Sequence, residues 1–231
     1  MLIQGVALQK SGLLAGLVLL PVLSGVSMPM PEVVALLVAT SFAAGLNTYA
    51  TVGTLGLLAR YHVLVLPDGL HMLTDWWVIA VAVVLFAVEF FADKIPAFDL
   101  IWNAMHTFVR IPVAALMAYK ATATLSPQEQ MVATVVGGLI ALAAHGGKTA
   151  ARAAVTPSPE PFSNGALSLT EDAVAIGLTW FATQHPYAAA GIVVVGLVFV
   201  VLILRFVLRS LKALFKGAEE QIEHAAPAQA A

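Results

Sequence analysis

Seven stretches of this chain are apolar over lengths close to the thickness of a bilayer, and ionisable residues recur inside or beside them. They cover residues 11–27, 33–59, 76–92, 104–119, 131–144, 166–183 and 187–204. A helix needs about 20 apolar residues to cross hydrocarbon, and about 17 if it stands upright. Such runs leave little choice of fold, because in lipid every backbone N–H and C=O must be bonded within the protein. Hydrophobic residues make up 60% of the 231, and mean hydropathy is +0.92, outside the range of soluble domains. Two stretches are short or carry polar residues. The expectation is therefore an all-α polytopic membrane protein with six or seven transmembrane helices and proline-broken or re-entrant segments.

Composition also removes several classes of function. The formal net charge of −2 gives no electrostatic footprint for nucleic acid. Without cysteine there are no disulfides, thiolate metal sites or cysteine nucleophiles. No HxxxH or His/Asp cluster argues for a metal, and no cofactor is expected. The bilayer itself is the expected partner, with a small anionic or lipid substrate and self-association as further candidates.

Four parts follow along the chain. Residues 1–30 hold an apolar segment after Lys10 that resembles a signal-peptide core. Prolines in Met28-Pro-Met-Pro31 oppose a small-residue cleavage site, so retention in the membrane is expected. Residues 31–186 form the membrane core, 187–216 the last transmembrane helix with a basic end, and 217–231 a polar, frayed tail. Helix starts are signalled by Ser126-Pro127-Gln128-Glu129 and, at the same spacing, by Ser168 and Glu171, with Asp172 adding charge suited to a helix N-terminus. Arg205, Arg209, Lys212 and Lys216 share one helical face. By the positive-inside rule they place the C-terminus in the cytoplasm, which makes the chain a multi-pass protein of the inner (plasma) membrane.

The charged residues of the core fall into motifs. Glu89 and Asp93 are four apart and share a helix face, and Pro96 then breaks the helix. Glu89 is a functional candidate because it lies deep in an apolar run. Asp93 and Lys94 divide evenly between a solvated loop and the site, while Asp99 reads as a cap. Arg110 is a permanent cation one turn into a span, two residues before Pro112, with Glu89 or Asp93 available as counter-charge. His106, four residues before it, reads as structural. His145, Lys148 and Arg152 fall on one face beside Gly146 and Gly147. The Gly-Gly-Lys-Thr run is not a phosphate loop, because Leu142 stands where GxxxxGK[ST] requires its first glycine. Prolines 159 and 161 bracket Glu160, and Asn164 precedes the next expected helix start, where free N–H groups suit an anion. Asn47, between Gly45 and Thr48, is either a hydrogen-bonding tie between helices or an unwound, substrate-facing point.

Taken in order, the Gly45–Tyr49, Glu89–Pro96, His106–Pro112 and Ser158–Asn164 motifs resemble the bacterial membrane family catalogued as domain of unknown function 4126, over about residues 31–186. That resemblance implies no activity. A looser similarity is to DedA-type lipid transporters, which pair an acidic, proline-containing re-entrant motif with an arginine-proline motif. The spacing around Glu89 differs from theirs, and the second arginine is absent.

Three readings follow. In the first, a transporter or channel-like protein uses Glu89, Asp93, Lys94, Arg110, Lys148, Arg152, Glu160, Asn164 and Asn47 to bind an ion or a small anionic or lipid-phosphate substrate. In the second, an intramembrane enzyme acts on a lipid headgroup. No nucleophile or metal-pair motif supports it, so the chain is read as more a transporter than an enzyme. In the third, a non-transporting scaffold uses its charges only to tie helices together.

Overall fold

A computed structural model of the chain describes residues 28–93, 96–155 and 161–225. Within them lie seven α-helices and one 3-10 helix, and no strand is present among the described residues. They are α1 (Met30–Leu46), α2 (Thr48–Arg60), a 3-10 turn (Asp68–Thr74), α3 (Trp76–Ala92), α4 (Pro96–Ala121), α5 (Pro127–Val155), α6 (Pro161–Gln184) and α7 (Pro186–Ala225). The apolar segment of residues 11–27 lies outside the described residues.

Helix α1 is the axis of the bundle and packs against α4, α5, α6 and α7. It can sit there because it is apolar on every side and rich in small residues, which let neighbouring backbones approach closely. At Gly45 the approach is close enough to exclude any side chain: an added Cβ would stand against the Ala141 carbonyl and 2.7 Å from Ala144 Cβ. Leu36, Ala39 and Ala43 of α1 form one apolar cluster with Ile140, Leu178, Ala182, Ala189 and Val193. A second cluster joins Val33 and Leu37 to Leu55, the 3-10 leucines 70 and 73, and Met117.

Sequence punctuation explains most helix boundaries. Ser126 and Glu129 form the expected capping box, with the Ser126 N–H donating to Glu129 Oε2 at 3.0 Å. Prolines open α4, α5, α6 and α7, where their missing N–H costs nothing. The break expected at Pro96 lies between the end of α3 at Ala92 and the start of α4. Asp75 stands before α3 but makes no side-chain cap.

The molecule is arranged with its polar groups inward. Phe108, Phe91, Phe206 and Trp77 are exposed, whereas Arg110 and Glu89 are completely buried. A soluble protein shows the reverse. Two helical stretches, Pro127–Arg152 and Pro186–Ser210, are long and apolar enough to cross a membrane. A third is available if the 3-10 turn and α3, which meet at 66°, act as one broken span. Among the described residues that is fewer than the six or seven expected of the whole chain, one of which, residues 11–27, lies outside them. The shortfall has a physical reason: α4 and α6 are long but carry the inward polar residues, while α1 is apolar but stops at 17 residues. The last helix does not end with its basic face, and the tail expected to fray from residue 217 is helical as far as Ala225.

Candidate functional site

The site is built around a break in what the sequence presents as one long apolar run. Asn47 separates α1 from α2 with an extended backbone, φ −148° and ψ 104°. Its side chain competes with the helix by capping α2: Oδ1 accepts from the Ala50 N–H at 2.9 Å. Two threonines of α2 hold the break, Thr48 Oγ1 donating back to the Ala44 carbonyl at 2.7 Å and Thr51 Oγ1 to that of Asn47 at 2.9 Å. The last carbonyls of α1 then need donors from elsewhere. Lys148 Nζ supplies one to Leu46 at 3.2 Å, and Arg110 Nη1 makes a long 3.5 Å contact with the Gly45 carbonyl. Cations therefore stand at the negative end of α1, where the helix dipole favours them. On the other side of the break, Asn47 Nδ2 donates to Asp172 Oδ1 at 2.8 Å.

Those two cations belong to a buried ion-pair network. Arg110 Nη2 pairs with Glu89 Oε1. Lys148 Nζ lies among three carboxylates, 3.1 Å from Glu171, 3.3 Å from Asp93 and 3.6 Å from Glu89. Arg152 Nη2 reaches Asp93 Oδ2 at 2.8 Å and Glu171 Oε2 at 2.6 Å, and its Nε faces Glu171 Oε1 at 3.4 Å, a two-pronged grip on one carboxylate. The network thus ties α3, α4, α5 and α6 around the break. Taking each charge out of water costs several kcal/mol, and only close pairing of this kind repays it.

The histidines are held by the same chemistry. Arg110 Nη1 lies 2.9 Å from His145 Nδ1. A guanidinium only donates, so Nδ1 must carry the lone pair and His145 is neutral, with its Nε2–H directed to Thr107 Oγ1 at 2.8 Å. His106 Nδ1 lies 2.7 Å from the Trp102 carbonyl and must donate to it, while Nε2 meets the Tyr49 hydroxyl at 2.9 Å. Both rings have both nitrogens engaged. Neither is left to act on a substrate in this arrangement, in keeping with the structural reading of His106.

Five of the nine residues expected from the sequence come together here: Glu89, Asp93, Arg110, Lys148 and Arg152, with Asn47 joined to them through its neighbours. Lys94 and Glu160 lie outside the described residues. Asn164 falls in the first turn of α6, and its side chain is not described. The Asp99 side chain, expected to cap α4, is likewise outside. Asp93 resolves toward the site, since it is buried and faces two cations. At Asn47 the helix unwinds and its amide ties across to α6.

Two residues require correction. Glu171 and Asp172 do not open a helix: α6 begins at Pro161, so both stand in its interior, buried on its inner face. The available signal was spacing. Ser168, Glu171, Asp172, Ala175, Thr179 and Ala182 recur at three and four residues and form a single small or polar stripe, all buried. His145, which shares a helical face with Lys148 and Arg152 in the sequence, joins the network through Arg110, whereas Thr107 and Tyr49 were not expected as members.

Among the described residues no group of three His, Asp or Glu side chains is placed to hold a metal. An apolar crevice of about 220 Å³ lies beside the network between α2, the 3-10 turn, α3 and α4, with Thr48 and Tyr49 on its wall.

The chain belongs to the family described as domain of unknown function (DUF4126), whose model matches residues 34–206. The match covers the break and every described member of the network. No curated protein and no solved structure matches the chain.

Proposed function

We propose that this member of the family is a multi-pass membrane transporter or channel-like protein. Its path runs through the helix break at Asn47 and is gated by the ion-pair network. The observation that carries this reading is the break itself. A discontinuous helix at membrane depth is tolerated where it is packed in protein or lines a cavity, and in transporters such breaks bind substrate and coupling ions. Here the end of α1 is satisfied by two cations rather than by the next turn of helix. The substrate is an ion or a small anionic or lipid-phosphate group, which would exchange with a carboxylate on Arg110, Lys148 or Arg152.

The chain crosses the inner membrane six or seven times with its C-terminus in the cytoplasm. Helix lengths support this: 26 residues of α4 extend about 39 Å and 24 of α6 about 36 Å, each longer than the hydrocarbon core. Their mean hydropathy is lowered by polar residues buried in the bundle, among them Asn103, His106 and Arg110 of α4 and Ser168, Glu171 and Asp172 of α6.

A second reading has an observation of its own. Arg110, Lys148 and Arg152 each already have a carboxylate partner, as they would in a scaffold that uses charge only to fix helix positions. Flux into proteoliposomes from a panel of ions and small phosphates separates the two. Transport by the wild type that is lost in Glu89→Gln and Arg110→Ala supports the gated path. Wild-type protein that is folded but carries nothing, or variants that transport normally, favour the scaffold.

A further inference from the structure

Among the described residues, the network contains one carboxyl group more than it has cations. Glu89, Asp93 and Glu171 each meet at least one of Arg110, Lys148 and Arg152, whereas Asp172 has no ion pair among the described residues. Among the described residues its one side-chain hydrogen bond is accepted at Oδ1 from the amide of Asn47. Its other oxygen, Oδ2, is buried and has no hydrogen-bond partner among the described residues. The same is true of Ser168 Oγ, one turn earlier on the same face of α6. A buried carboxylate with neither a cation nor a second donor is costly, and the group then neutralises by holding a proton.

We infer that Asp172 is a proton-binding site whose occupancy is linked to the helix break through Asn47. This rests on the transport reading only in the use made of the proton; the site itself does not need it. The ligand is a proton rather than a metal ion, because no described set of acidic or histidine side chains is placed to hold a metal. The groups facing Asp172 from each neighbouring element are Lys148 on α5, Glu89 and Asp93 on α3, and the Asn47 amide between α1 and α2. Glu171, next to it on α6, is turned to Arg152 and Lys148. Helix α7 meets α6 through the apolar Ala189 and Val193.

With the proton bound, three carboxylates balance three cations among the described residues. When the proton leaves, a fourth negative charge appears beside Lys148, whose ammonium is shared among three carboxylates and the Leu46 carbonyl. Lys148 is the cation free to redistribute toward it, because Arg110 and Arg152 are each held by shorter contacts. That movement withdraws a donor from the end of α1. The break is thereby coupled to the proton.

Infrared difference spectroscopy of the full chain in lipid nanodiscs tests this without any substrate. The wild type should show the carbonyl band of a neutral carboxyl group that disappears as pH is raised. The band should shift when aspartate is carboxyl-labelled and be absent from Asp172→Asn, which keeps an acceptor for Asn47. No such band, a band unmoved by labelled aspartate, or one that survives in folded Asp172→Asn would overturn the assignment. If Asp172→Asn does not fold, the labelled wild type decides alone. The label-shifted band without flux supports the proton site and removes transport; flux without the band removes the proton site and leaves transport.

Discussion

The Glu89–Arg110 pair offers a quantitative test of whether the network is held together by charge. Both side chains are fully buried. Replacing one member of such a pair costs about 3–5 kcal/mol, whereas replacing both with apolar residues of similar volume is often neutral or stabilising by about 1–4 kcal/mol. The structure predicts which single change is worse. Glu89→Leu leaves Arg110 with only the neutral His145 ring and the distant Gly45 carbonyl, so its cost belongs near the top of the range. Arg110→Met leaves Glu89 with Lys148 at 3.6 Å, which places it near the bottom. The double variant should recover most of the loss, giving a coupling of about 3 kcal/mol, at the upper end for residues in contact. Unfolding of the four proteins by steric trapping in bicelles gives the free energies directly. Additive single losses, with a coupling below about 0.5 kcal/mol, would show that the two side chains contribute through packing alone and refute the ion-pair account.

Asn47→Ala removes the α2 cap, worth about 1 kcal/mol, and leaves Asp172 without its amide donor, a further penalty of about 1–3 kcal/mol. Asn47→Asp should be worse still in the same unfolding assay, because it retains a capping oxygen but sets a second carboxyl against Asp172; equal stability of the two variants would contradict this. For orientation, a green fluorescent protein fused after Ala231 should fluoresce and alkaline phosphatase fused there should be inactive. The opposite pair of results would place the basic end of α7 outside.

What could be read from the sequence depended on how expensive each residue is in an apolar setting. Glu89, Arg110, Lys148 and Arg152 stood out because a charge beside hydrocarbon requires a reason, and all four meet in the structure. Glu171 and Asp172 carry the same cost but were disguised. Three residues separate the partners of a capping box, and three residues also separate neighbours on a helix face, so Ser168 and Glu171 satisfy both patterns. Only the start of α6 at Pro161 decides between them, and Pro161 had been read as part of a loop. The number of spans is hard to read for a related reason. An apolar window measures average hydropathy, but α4 and α6 are sided, and their average hides apolar exteriors. Asn47 was legible as unusual; that its neighbours' carbonyls would be taken by Arg110 and Lys148 required the positions of helices far away in sequence.

Helix α7 sets charges at fixed distances beyond its apolar section. Its apolar section ends at Ser210, and the helix continues to Ala225, about 22 Å further along its axis. Arg209 and Lys212 therefore stand within about 3 Å of that end along the axis and Lys216 about 9 Å beyond it, close to the screening length of about 8 Å at physiological ionic strength. Glu219, Glu220 and Glu223 follow on the same rod. Glu223 stands about 20 Å beyond Ser210, more than two screening lengths out. A stiff helix thus fixes the spacing between a basic base and an acidic tip, a sign reversal along one rod that a flexible tail could not hold.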